Sequence, residues 1–394
     1  MIYITYFLLA TIISFFVSSR KQALSFIVFL TFSFLAFSYP AGGDWVGYFG
    51  NYDCLVNNKC YSGFVEFEVG YEFLVKTIGQ LGFQPLLIFI AFLNLIFISS
   101  FAKKFENSAL IVLFIMCVFL WSLYMEAIRQ SIAISLVLWG IYLLYLGKLK
   151  EFILIVLLSS LFHITALITL LFTLPYFSKR LSKLVAWGIV GISFIFVSMP
   201  TQFLQLLLLV LPLDSMAGAK LNFYLSSDAY KPQLSIGIGT ILDVLLIGLI
   251  IVSFRRVRLY KLYNDIRFHH VVYLGVALYL AFGVFIGKMM PVFTRIGWYG
   301  YPLIIILLYT NIGNSMFYRK SRVGFKYDLR VTLACMYFLL QTIRPFTYDY
   351  NNFGIMNQET IIQNINNLDD ASLRIAAREK CLALTRLGYG YLCD

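Results

Sequence analysis

Apolar runs close to twenty residues long, set apart by short charged turns, recur along the whole chain. A run of about 18 or more apolar residues reads as a membrane span, because about 20 helical residues cross about 30 Å of hydrocarbon. The runs are continuous rather than alternating. Only helices and closed barrels satisfy their backbone inside lipid, so these spans are helices. The pattern predicts spans near residues 2–18, 22–39, 85–101, 108–124, 128–146, 184–200, 235–254, 270–287, 298–317 and 329–343. The fold class that follows is an all-α polytopic membrane protein with about ten transmembrane helices. Residues 1–344 form the transmembrane domain, with polar loops at 40–84 and 201–234. The second loop opens on a short apolar piece, Phe203–Leu213, and residues 345–394 make a polar tail.

Composition agrees. Of 394 residues, 60% are hydrophobic and 13% charged, against about 45–50% and about 25% in a soluble domain. A net charge of +12 would suggest nucleic acid in a soluble protein. Here its placement matters more, since basic residues gather on the cytoplasmic side. The turns at 20–21, 103–104, 148–150, 179–183, 255–267 and 319–330 hold most of the 31 Lys and Arg. The first polar loop instead carries Asp44, Asp53, Glu66, Glu68 and Glu72 against Lys59 and Lys76. This assigns both loops, the tail and both termini to the outer side of a bacterial inner membrane, the periplasm of a Gram-negative cell. No basic region precedes the first span, which therefore reads as an anchor rather than a cleaved signal.

Alternation of sides works everywhere except at 151–177. Both flanks of that stretch are basic, yet a mostly apolar segment lies between them. One reading is a single span that violates the charge rule. The other is a re-entrant or broken helix pair turning near Phe162-His163, tolerated where protein or a water-filled cavity covers the backbone. The second makes every other loop agree. Cys117 and Cys335 fall inside spans, whereas Cys54, Cys60, Cys381 and Cys393 fall on the outer side, where disulfides are permitted. Pairing cannot be read from spacing.

The chain has no phosphate-cradling glycine loop, no nucleotide fingerprint and no metal-ligand spacing. Its candidate chemistry is a set of ionisable and aromatic groups at the outer face. Gly42-Gly43-Asp44-Trp45 follows the second span, with Tyr48 and Tyr52 beyond it. A turn within an aromatic belt accounts for these equally well. Glu126 and Arg129 flank the turn between two spans, either as a local ion pair or as a site. His163 lies in the interrupted stretch, and an imidazole at a helix break can face a cavity. Lys288, Arg295, Trp298, Tyr299 and Tyr301 form a fourth group, and Arg344-Pro345-Phe346 opens a fifth. Arg129, Arg295 and Arg344 all lie on the side that basic residues avoid. Arginine's planar fork suits a phosphate, and simple snorkelling to lipid headgroups is the bland alternative.

Five short motifs in order carry a resemblance. They are Gly42-x-Asp44-x-x-x-Tyr48, the Glu68–Glu72 segment (Glu-x-Gly-Tyr-Glu), Arg129-Gln130-x-Ile132-Ala133, Phe162-His163 and Arg295-Ile296-x-x-Tyr299. Over about residues 40–350 the chain resembles the EpsG-type family. Those proteins are polytopic polysaccharide polymerases related in role to the Wzy O-antigen polymerases. The resemblance implies a GT-C-like glycosyltransferase architecture and transfer at the outer face of the inner membrane. A growing glycan on undecaprenyl diphosphate would pass to a lipid-linked repeat unit. The leaving group is a lipid diphosphate, so neither cofactor nor metal is called for. The partners implied are undecaprenyl-diphosphate oligosaccharides, membrane lipid, a chain-length regulator and a flippase, with no nucleic acid.

On that resemblance Asp44 is the first choice for general base, with His163 and Glu72 as rivals. Arg129, Arg295 and Arg344 would hold the diphosphate, helped by Lys220 and Lys231. Trp45, Tyr48, Tyr52, Glu126, Trp298 and Tyr299 would line the sugar groove. A lipid-linked oligosaccharide flippase or exporter, an O-antigen ligase, and an acyltransferase acting on exported glycan are the rival functions. A flippase should carry ionisable groups near the midplane and related halves, which this pattern lacks.

Overall fold

A computed structural model describes residues 1–17, 19–60, 66–105, 107–210, 232–234, 237–256, 266–317, 329–347, 355 and 358–386. Among these residues the regular structure is helical, and one isolated antiparallel bridge joins Ser38 to Thr360. In chain order the helices of the first half are α1 (Ile2–Phe16), α2 (Arg20–Phe37), α3 (Trp45–Asn57), α4 (Val69–Thr77), α5 (Phe83–Ala102), α6 (Ser108–Glu126), α7 (Ile128–Tyr145), α8 (Leu149–Ser160) and α9 (Ile164–Phe177). The second half has α10 (Lys179–Ser198), α11 (Pro200–Val210), α12 (Ile238–Arg256), α13 (Ile266–Met289), α14 (Pro291–Gly297), α15 (Tyr301–Phe317), α16 (Leu329–Ile343) and α17 (Asp370–Arg386).

Six of these, α2, α5, α6, α7, α10 and α13, are long and apolar enough to cross a membrane. A seventh is reached if α14 and the start of α15, bent by 57°, count as one span. The molecule is thus a polytopic helical membrane protein. Of the ten or so spans expected, α1, the apolar part of α12 and the 15-residue α16 fall short of a full crossing among the described residues. The stretch 151–177 is interrupted: α8 stops at Ser160, Leu161-Phe162 turn, and α9 starts after His163.

The chain divides into two compact units. Unit 1 comprises residues 1–167 and 335–394, and unit 2 comprises 168–334. In unit 1, α6 and α7 are the central helices, with most of their surface buried. Polar side chains bind the helices together where lipid offers no hydrophobic drive for association. Asn94 Nδ2 of α5 donates to Ser131 Oγ of α7 at 2.9 Å. The hydroxyls of Tyr6 in α1 and Thr31 in α2 share a 2.8 Å hydrogen bond. Gln84 Nε2, in the first turn of α5, donates to the carbonyl of Ala36 at the end of α2 at 2.9 Å.

The polar loop 40–84 is itself folded. Helix α3 places Trp45, Tyr48, Phe49 and Tyr52 along one face, and all four are buried in a core with Tyr71, Leu74, Phe83, Ile128 and Leu373. A Cys54–Cys60 disulfide closes the end of α3. The tail docks on the same loop. Tyr39 N–H donates to the Glu359 carbonyl at 3.0 Å, and Ile361 N–H donates to the Phe37 carbonyl at 2.9 Å. Helix α17 then lies on α3. Arg374 Nε reaches Asp53 Oδ2 at 2.8 Å, and Tyr52 Oη donates to Asp370 Oδ1 at 3.1 Å. Cys381, in the same helix, is also disulfide-bonded. Cys393 lies outside the described residues, as do Lys220 and Lys231.

Unit 2 holds α10 to α15. Its helix α10 exposes much of its apolar surface, Leu184, Trp187, Phe194 and Ile195 among it, as a helix bathed in lipid would. Lys288 Nζ at the end of α13 pairs with Asp243 Oδ2 of α12 at 2.7 Å, and the Asp243 side chain is 7% exposed.

Candidate functional site

Five helix ends meet at one end of unit 1. They are the C-termini of α2, α6 and α8 and the N-termini of α5 and α7. The contacts Gln84–Ala36, Glu68–Arg129 and Gly70–Leu161 tie them together through the loop 40–84.

Arg129 opens α7 and is the centre of the cluster. Its Nη1 forms an ion pair with Glu68 Oε2. Its guanidinium lies 3.7 Å over the Phe67 ring and 5.8 Å from the centroid of Tyr48. The rings of Tyr48, Phe67 and Tyr71 pack around it at mutual distances of 5.6 and 5.7 Å. A desolvated guanidinium over an aromatic face gains about 2 kcal/mol, so this side chain is held in place as well as charge-paired. The second carboxylate oxygen of Glu68 accepts the Ile164 N–H at 3.4 Å. That donor is one of the orphan amides at the start of α9, where a negative charge is favoured. Gly70 N–H donates to the Leu161 carbonyl at 2.8 Å on the other side of the break. A Cβ on Gly70 would lie 2.7 Å from that same carbonyl oxygen, so this approach requires glycine. The break near His163 is therefore fastened to the loop by two backbone contacts. His163 Nδ1 itself shares a 2.6 Å hydrogen bond with Thr165 Oγ1.

A second group lies around Glu126, at the end of α6. The last seven residues of that helix, Leu120–Glu126, form a π-helical turn, a widening found mostly at functional sites. Glu126 is 5% exposed. Its Oε1 accepts from Trp121 Nε1 at 3.2 Å. Gly42 packs on it with φ +85°, and a Cβ there would lie 2.8 Å from Glu126 Oε1. Burial draws Lys380 of α17 below the ordinary lysine range, and the nearby Glu126 charge opposes that shift.

The remaining expected residues divide clearly. Asp44 caps the start of α3 without a side-chain cap bond. Glu72 is committed locally: its Oε1 accepts the Phe67 N–H at 3.1 Å and its Oε2 pairs with Lys76 at 3.3 Å. Trp45, Tyr48 and Tyr52 are buried in the core of the loop. Burial, and then the Asp370 carboxylate, push the Tyr52 hydroxyl above its usual range. Arg344 begins a short helical turn after α16 in unit 1. Arg295 lies in α14 of unit 2, with Trp298 just beyond it and Tyr299 fully buried. The sequence pattern did not single out Glu68, Phe67 and Tyr71 as the residues that pack around Arg129. Glu68 and Tyr71 lie inside the Glu-x-Gly-Tyr-Glu motif, which was the available signal. Lys380 and Asp243 gave none. Among the described residues, no three His, Cys, Asp or Glu side chains gather as metal ligands would.

A bundle of apolar helices, with a polar cluster where helix ends and a folded loop meet, defines a polytopic membrane protein. The model of the EpsG family matches residues 21–353, and the chain belongs to that family. Membership associates it with polysaccharide production at a membrane. The match stops short of α17. No curated protein and no solved structure matches the chain.

Proposed function

We propose that the protein is a polysaccharide polymerase of the O-antigen type. It would transfer a growing glycan from undecaprenyl diphosphate to a lipid-linked repeat unit at the periplasmic face of the inner membrane, with both termini on that side. One observation carries this reading: four of the five family-like motifs, far apart in sequence, converge at one end of unit 1. These are Gly42–Tyr48, Glu68–Glu72, Arg129–Ala133 and Phe162-His163. Arg129 would stabilise the charge that develops on the departing diphosphate, as a donor already oriented before the reaction. Arg295 and Arg344 are further candidates for that charge. Asp44 or His163 would take the proton of the acceptor hydroxyl, with Glu72 a third choice already engaged with Lys76 and the Phe67 amide.

Three alanine variants, Asp44→Ala, His163→Ala and Arg129→Ala, expressed in a polymerase-null strain, test the assignment by the glycan ladder. Loss of long chains with single repeats still displayed is the expected result. Wild-type ladders from Arg129→Ala and from both base variants at normal expression would sink it. Loss of every repeat from the surface would point instead to a flippase or a ligase. The Asp243–Lys288 pair does not favour a flippase. Its members sit near helix ends, in the second turn of α12 and at the C-terminus of α13, rather than at a midplane.

A further inference from the structure

The Arg129 cluster is not internally complete. Arg129 Nε is buried and has no hydrogen-bond partner, and so is the hydroxyl of Tyr71. Tyr71 is 0% exposed. A buried donor left without a partner keeps the full cost of its desolvation, and such groups are rare enough in folded proteins to call for a cause. The two are neighbours: the guanidinium charge of Arg129 acts on the Tyr71 hydroxyl, against the larger effect of burial. The same rings, Tyr48 and Phe67, flank both. The cluster also opens outward, since the side chains of Arg129 and Glu68 are each 21% exposed.

Arg129 Nε–H can only donate, and the Tyr71 hydroxyl has a hydrogen to donate beside it. Arginine has no acceptor atom. A sugar hydroxyl placed between them would bring its own hydrogen, for which only the Tyr71 oxygen could serve. A phosphoryl oxygen brings acceptor lone pairs alone, and charge strengthens the bonds it accepts. Glu68 meanwhile grips Nη1 and leaves the Nε edge of the guanidinium turned to the interior.

We infer that Arg129 Nε–H and the Tyr71 hydroxyl together form a phosphoryl-oxygen subsite, with Tyr71 a binding residue and Glu68 the group that fixes the guanidinium in register. This deepens the polymerase reading, on which its assignment to a lipid diphosphate rests. It explains why a tyrosine with a buried, unused hydroxyl stands where phenylalanine would pack as well.

The test is Tyr71→Phe in the full-length protein, purified in detergent and titrated with farnesyl diphosphate, with farnesol as the uncharged control. The substitution removes only an unpartnered hydroxyl, so thermal stability without ligand should be unchanged or raised. Affinity for farnesyl diphosphate should fall about tenfold or more, the value of a hydrogen bond to a charged acceptor. Farnesol should bind both proteins equally. Equal affinity of the two proteins for farnesyl diphosphate overturns the inference, as does a wild type that fails to bind it. A lower unliganded stability of Tyr71→Phe also overturns it, because the hydroxyl would then be bonded within the protein. The polymerase reading fails separately, if the wild-type chain does not restore a ladder in the null strain while diphosphate binding still depends on Tyr71.

Discussion

Two arginine–carboxylate pairs belong to the folded loop of unit 1, and they differ in how completely they are closed. Asp53 is fully buried and receives Arg374 Nε at 2.8 Å and Asn57 Nδ2 at 2.7 Å. Asn57 also donates to Asp370, which accepts from Tyr52. Each charge in that network has partners. The Glu68–Arg129 pair is partly open, stacked on an aromatic ring, and leaves donors unused on its inner side. The completeness of the first marks a joint, and the open inner side of the second is where the proposed phosphoryl subsite lies. A closed network rigidifies, whereas a partly satisfied one is costly.

The contrast can be broken by substitution. Arg374→Ala strands a buried carboxylate and should cost about 3 kcal/mol. Thermal unfolding in detergent should fall sharply, and polymer yield should fall in step with folded protein. A wild-type melting temperature would show that the joint carries no stability. Cys54→Ser opens a loop with a sequence separation of 6. The chain-entropy argument puts that at about 2 kcal/mol, visible as a lower melting temperature than that of the oxidised wild type. Gly42→Ala places a side chain at φ +85° and against Glu126. Strain of about 1–2 kcal/mol is expected, and a ladder shortened beyond what the folded yield explains would assign Glu126 a part in the reaction. Arg129→Lys should alter stability least, about 1 kcal/mol or less, because an ammonium keeps a cation–aromatic contact and a charge partner in a partly exposed pair. It should nevertheless reduce long-chain glycan most per folded molecule, because an ammonium lacks the planar fork. If Arg129→Lys instead lowers melting as much as Arg374→Ala and spares the ladder, the roles assigned to the two pairs are reversed.

Much of this was legible in the amino-acid pattern. The apolar runs mark α5, α6, α7, α10 and α13 closely, since a twenty-residue run leaves little choice of structure. The interruption at Phe162-His163 falls within 151–177, the stretch whose basic flanks left a single span and a broken pair as alternatives, and Arg129 stood out as an ionisable group at the end of an apolar run. The folding of the loop was only partly visible. Trp45, Tyr48, Phe49 and Tyr52 keep the i, i+3, i+4, i+7 spacing of a helix stripe, but an aromatic belt at an interface uses the same residues. The partners of that stripe were out of reach. Arg374 and Asp53 are 321 positions apart, and nothing in a polar tail announces which distant carboxylate it will meet. Tyr71 was hidden for a different reason. Its hydroxyl is set apart by a bond it does not make within the protein, and sequence carries no trace of that.

The docking of α17 on α3 has a consequence for synthesis. Asn57 and Asp370 are 313 positions apart, about 15–60 s of translation at about 5–20 residues per second. Throughout that interval Asp53 and the open flank of the aromatic core wait for a helix still to be made. A ribosome that stops between α16 and α17 leaves the apolar helices made but the loop uncovered. The cover on the aromatic core of α3 therefore comes from a segment that lies beyond the reach of the family match.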